Sequence, residues 1–152
     1  MGAYGMKRLE DWPERLAAFV EARRAMPFRW GQNDCALFAA DAVAAVTGVD
    51  LAERWRGRYS DEVTALQMGL RGASAHLATG DVSGALRDMA SLCLDGEVAP
   101  ALARRGDVLL VQHERGESLA VCIGTHAAAP GRRGVVFLPR SAWLACWRVG
   151  DA

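Results

Sequence analysis

The spacing of apolar residues changes period near residue 106, and this constrains the fold of the 152-residue chain more than any other feature. Before that point apolar positions recur at helical intervals. After it they come in short aliphatic and β-branched runs separated by turn residues. The first helix is expected from about residue 12 to 25: Asp11 and Glu14 are spaced as a capping box, Trp12, Leu16, Phe19 and Val20 follow helical spacing, and Pro27 ends the segment. A second runs from Cys35 to about Thr47, with Gly48 as the stop signal, and its near-continuous apolar content predicts burial on most sides. A third is expected after Ser60, closing at Gly69 or Gly72, and a fourth from about Val82 to Leu94 behind Asp81, weakened by Gly84. The strand candidates are Asp107–Val111 and Leu119–Ile123, which read as a hairpin, then Gly134–Leu138 and Ala145–Val149.

Helices first and strands second predict a single α+β domain, with a helical part over about 7–100 and an antiparallel sheet of about four strands over about 104–150. A chain of this length can bury a full core without disulfides and is too short for two full-sized domains. Eighteen basic and eighteen acidic residues give no net charge, so neither nucleic acid nor an anionic membrane surface is an expected partner. No apolar run is long enough to span a bilayer, and the opening Met1–Lys7 stretch lacks the apolar core of a secretion signal, so synthesis in the cytosol is expected. The cysteines at 35, 93, 122 and 146 form no CxxC or CxH pair, which argues against a metal site and leaves no cofactor indicated.

The stretch Trp30-Gly31-Gln32-Asn33-Asp34-Cys35 places a thiol on the first turn of a helix, directly after Asp34, a good helix cap. Free amides and the helix dipole there stabilise an anion, so a depressed thiol pKa and a nucleophilic Cys35 are expected, with the same amides available as an oxyanion hole. The competing reading makes Cys35 a small buried apolar residue at a helix start. A cysteine hydrolase also needs a base. Of the three histidines, His76 lies in the middle of the chain and His113 at the hairpin tip, leaving His126, just after the second strand, as the candidate. Arg54, Arg56 and Arg58 around Trp55 and Tyr59 read as a packed loop, Arg132-Arg133 as an exposed turn, and Trp143 and Trp147, four apart, as residues closing the core over the sheet.

Taken together, Asp34-Cys35 at a buried helix, Arg105-Gly106-Asp107-Val108 opening a sheet and a strand ending at Gly124 resemble the NlpC-type branch of papain-like cell-wall peptidases. Trp30–Phe38 with Thr47-Gly48, Arg56-Gly57-Arg58-Tyr59 and Trp147-Arg148-Val149 resemble more closely a set of small proteins from the tail modules of tailed phages, prophages and gene transfer particles. The resemblance covers most of residues 28–149 and implies a papain-like fold. In active peptidases of that type the second strand of the sheet opens on the histidine that serves as base. Ser118 stands at that position here, and a serine hydroxyl cannot hold an imidazolium–thiolate pair. His126 falls near the position that normally orients the base.

Two functions therefore follow as expectations. The first is a structural or assembly role at a phage tail tip, in the baseplate or hub region, with catalysis lost; the second is a peptidoglycan endopeptidase or amidase using Cys35 with His126 that opens the host wall. The first implies a ring or symmetric assembly with distal-tail or hub proteins as partners, for which Arg56, Arg58, Tyr59, Trp143 and Trp147 are the interface candidates. The second implies host peptidoglycan as substrate. Either way the chain would be made in the host cytoplasm and carried in the virion tail.

Overall fold

The computed structural model describes residues 5–61, 84–94, 96–114 and 116–150. Among the described residues, three α-helices precede the sheet: α1 Trp12–Arg23, α2 Cys35–Thr47 and α3 Ala85–Cys93, then β1 Glu97–Val98, β2 Val108–His113, β3 Gly116–Cys122, β4 Ala127–Gly131, β5 Gly134–Leu138 and β6 Trp143–Trp147. Two short 3-10 turns, Pro100–Leu102 and Arg140–Ala142, lie between strands. The strands pair in the order β1-β6-β2-β3-β4-β5, every pair antiparallel. The class is thus α+β, as the change of period predicts.

The sheet has six strands where four were expected. The two additions carry almost no local signal. β4 is Ala-Ala-Ala-Pro-Gly, with no β-branched or aromatic residue, and is held as a strand by pairing with β3 and β5. β1 is two residues long and exists only through its pairing with Trp147 and Cys146. β5 stands where the sequence places it; the expected hairpin forms with longer arms, β2 running on to His113 and β3 opening at Gly116, and β6 begins two residues earlier than expected.

α2 matches its expected bounds. Asp34 caps it by accepting from the Leu37 amide at 2.9 Å, and Gly48 ends it in the left-handed conformation at φ +81°. Eight of its thirteen residues are buried, so it is the core helix. α1 packs against it, with Phe19 and Phe38 rings 5.0 Å apart, and α2 lies across β3 and β4. The expected capping box of α1 is not formed: Asp11 makes no side-chain cap bond, and the helix ends at Arg23, before Pro27. Gly84, expected inside a helix, instead precedes α3 as its N-terminal flanking residue at a left-handed φ of +80°, which glycine adopts without strain. The expected third helix after Ser60, and Asp81, lie outside the described residues.

Both faces of the sheet are buried. Val108, Leu110, Leu119, Val121, Ala128, Ala145 and Trp147 face the helices, while Leu109, Val111, Ala120, Cys122, Ala127, Ala129, Trp143 and Cys146 form a second core on the opposite side. Trp143 and Trp147, four apart in one strand, would share a face in a regular ladder. A register shift at Leu110/Val111 inserts a bulge and sends the two indoles to opposite faces. Trp147 donates to Ser91 Oγ of α3 at 3.2 Å and Trp143 to the Leu138 carbonyl at 3.2 Å.

Asp107, fully buried at the start of β2, joins the two ends of the described chain. Its Oδ1 accepts from Arg8 at 3.0 Å and from the Val149 amide at 3.1 Å; its Oδ2 accepts from the Arg104 amide at 2.9 Å and from Arg148 at 3.2 Å. Arg8 further donates to the carbonyls of Arg105 at 2.6 Å and Val149 at 2.9 Å, and lies over the Trp12 ring at 4.4 Å. Removing this carboxylate would leave two guanidinium groups in or near the interior without their counter-charge. Asp107→Ala is expected to cost about 3–5 kcal/mol, lowering Tm by roughly 10 °C, measured by thermal and urea unfolding; a loss under about 1 kcal/mol would contradict the buried-clasp account.

Candidate functional site

The site is built around the loop that leads into α2. Gly31 takes φ +78°, and a Cβ there would lie 2.3 Å from the Tyr59 carbonyl oxygen, so only glycine fits both the backbone and the close approach. Asn33, 1% exposed, donates to the carbonyls of Met26 at 3.2 Å and Pro27 at 3.1 Å and accepts from Arg23 at 2.9 Å. Asp34, also 1% exposed, accepts from the Gly31 amide at 2.9 Å, the Leu37 amide and the Tyr59 hydroxyl. Arg23 also pairs with Asp41 of α2. Each polar residue of the Gly31–Asp34 turn that is buried thus has a structural partner, and together they hold Cys35 at the first position of α2.

Cys35 is partly buried, with its thiol beside Ser118 and Leu119 of β3. The depressed pKa expected from the helix terminus is not found: burial pushes the thiol up. Hydrogen bonding to the Leu119 backbone works against that shift, the nearby Asp34 carboxylate adds to it, and the Ser118 side chain again opposes it. Desolvation wins because it acts on the full charge of the thiolate, whereas the helix terminus contributes only partial charges, one of which Asp34 already occupies. Asp34 also raises the Tyr59 phenol, second to burial itself.

Ser118, which the resemblance places at the base position, is thus the residue that meets the thiol; its hydroxyl donates to the Leu119 carbonyl at 3.0 Å. His126 does not meet it. Its carbonyl pairs with the Ile123 amide at 2.9 Å, past the far end of β3, and its exposed ring contacts Thr125 Oγ1 at 3.0 Å. From Ser118 to Ile123 the chain advances about 16 Å at the usual strand rise, too far for an imidazole to share a proton with Cys35. His113, at the hairpin tip, accepts from the Glu114 amide through Nδ1 at 2.7 Å. His76 lies outside the described residues. Among those described, no group of three or more His, Cys, Asp or Glu side chains is arranged to hold a metal ion.

The interface candidates divide. Tyr59, Trp143 and Trp147 are 8%, 7% and 0% exposed and are used internally. Arg56 bridges Asp41 at 2.6 Å and Asp50 at 2.9 Å, so it ties the loop after α2 to that helix. Arg58 remains exposed beside them. The Tyr59–Asp34 bond is the feature sequence reasoning missed, since twenty-five residues separate the partners. An Asp cap followed at long range by a buried tyrosine leaves no local pattern to read.

Two predictions follow from this geometry. Gly31→Ala is expected to destabilise the fold by at least about 2 kcal/mol through the left-handed φ and the clash with Tyr59, read from the urea midpoint; a neutral result would contradict the close approach. The second concerns alkali. All four thiols are raised by burial, Cys146 to about 12. An unfolded chain releases those protons near about pH 8.5, while the folded chain holds them longer. The stabilisation is therefore fully present below that pH and is lost as pH rises toward 12. The urea midpoint should fall between about pH 8.5 and 10.5, and fall less steeply in Cys146→Ala.

Among the described residues, no helix is long and apolar enough to cross a membrane. No protein in the curated comparison matches the chain. One family model, described as a domain of unknown function (DUF6950), matches residues 7–149, from beside Arg8 to the Val149 that closes the Asp107 clasp. The match spans nearly the whole sequence, and the chain belongs to the DUF6950 family.

Proposed function

We propose that the chain is a structural or assembly component of a phage tail tip, built on a papain-like fold of the NlpC type whose catalysis has been lost. The observation that carries this reading is Ser118 beside the Cys35 thiol, at the position where the peptidases present their base. A thiol attacks an amide only as thiolate, and a base with a pKa near neutrality is what generates it. Serine supplies none, and burial moves Cys35 further from ionisation.

Support also comes from how the peptidase-like motif is spent. Asn33, Asp34 and Tyr59 are committed to holding the loop, so the segment is explained as architecture without assigning it a substrate. The partners under this reading are distal-tail or hub proteins in a symmetric assembly, with the chain made in the host cytoplasm and incorporated into the tail.

The test has two arms. Purified tails should contain the chain in fixed stoichiometry, cross-linked to a distal-tail or hub protein, and particles carrying Cys35→Ala should keep their infectivity. In the second arm, the purified protein should release no soluble muropeptides from cell-wall sacculi above a Cys35→Ala control. Muropeptide release that Cys35→Ala abolishes, or folded and assembled Cys35→Ala particles that no longer infect, would overturn the structural role in favour of an endopeptidase or amidase.

A further inference from the structure

After Gly48 ends α2, the chain doubles back along that helix to its start. Leu51 and Ala52 are buried, and Trp55 packs on the core and lines, with Ala36 and Leu119, a small apolar cavity of about 30 Å³. Tyr59 then lays its backbone against Gly31 and its hydroxyl on Asp34, next to Cys35. The Trp55 and Tyr59 rings are 6.0 Å apart, so the two aromatics pack together, with Tyr59 held at the start of α2 by its bond to Asp34.

We propose that residues 50–59 form a strap closed over Cys35, and that its local opening controls access to the thiol. Two side-chain ties hold it to the rest of the chain, Tyr59 to Asp34 and Arg56 to Asp41, while the Arg56–Asp50 pair lies within the strap and braces it. The ties differ in character. The tyrosine tie is buried, whereas in the Arg56–Asp41 tie the Arg56 side chain is 38% exposed, so this attraction is open to screening by salt. Between them Gly57 sits at φ +79° with nothing within 4 Å of where a Cβ would lie, and a residue free of packing can absorb the backbone rotation that opening requires. α2 beneath the strap is pinned independently by its Asp34 cap, its Gly48 terminus and the Arg23–Asp41 pair, which allows the strap to lift while the helix stays in place.

The strap does not depend on the tail-tip reading, since it concerns who reaches the thiol and not what the protein assembles with. Its test is alkylation of the intact protein with iodoacetamide at fixed pH, with each cysteine followed by peptide mass spectrometry. Cys122 and Cys146, both 0% exposed and on the far side of the sheet, report global unfolding in the same sample. Tyr59→Phe and Arg56→Gln are each expected to raise Cys35 labelling about fivefold, with Cys122 and Cys146 unchanged. Raising the salt to about 1 M should speed Cys35 labelling in the wild type and leave Arg56→Gln indifferent. Equal Cys35 rates in wild type and both variants, or a rise that only keeps step with Cys122 and Cys146, would overturn the strap.

Discussion

A carboxylate with no solvent contact stays charged inside a protein only where cations and amides replace its water shell, and Asp107 is such a group. One partner is local, the Arg104 amide three residues before it, while the others are distant in sequence: Arg8 before α1, and Arg148 with Val149 after β6. The distant partners cannot be brought to it until the chain has closed on itself. The clasp therefore fixes where β6 enters beside β2 and where the N-terminal segment crosses the sheet. It also explains Gly106, whose φ is +96° and whose Cβ would come within 2.8 Å of the Arg8 guanidinium.

Asp34 plays the corresponding part on the helical side. One carboxylate there takes the Gly31 amide, the Leu37 amide and the Tyr59 hydroxyl, so it shapes the turn, caps the core helix and anchors the segment beyond it. Cys35 inherits its position from that arrangement. The chemistry of the thiol then follows from its surroundings: β3 brings a serine hydroxyl and a backbone group, the helix terminus is already occupied by Asp34, and burial favours the neutral form. The site thus has a nucleophile's position without a nucleophile's environment.

Much of the fold was legible because it is encoded in periodicity. α2, from its Asp34 cap to Gly48, stands at its expected limits, and the β2–β3 hairpin follows from two aliphatic runs around a polar tip. The elements that escaped are those with no local preference of their own. β4 is mostly alanine and becomes a strand because β3 and β5 supply its hydrogen bonds; β1 exists because β6 passes beside it. The bulge in β6 was equally hidden, since a period-two pattern places Trp143 and Trp147 on one face and only the register with β2 separates them.

The candidate site divides in the same way. Residue types and spacing by themselves determined that a thiol would open a capped, buried helix and that Gly48 would end it. The protonation of that thiol, the distance separating His126 from it, the Tyr59 tie to Asp34 and the partners of Asp107 were decided only by tertiary structure. The physical reason is range. Helix signals and turn preferences act over a few residues, whereas desolvation and buried ion pairing depend on which distant parts of the chain come within hydrogen-bond distance, and no local pattern specifies that.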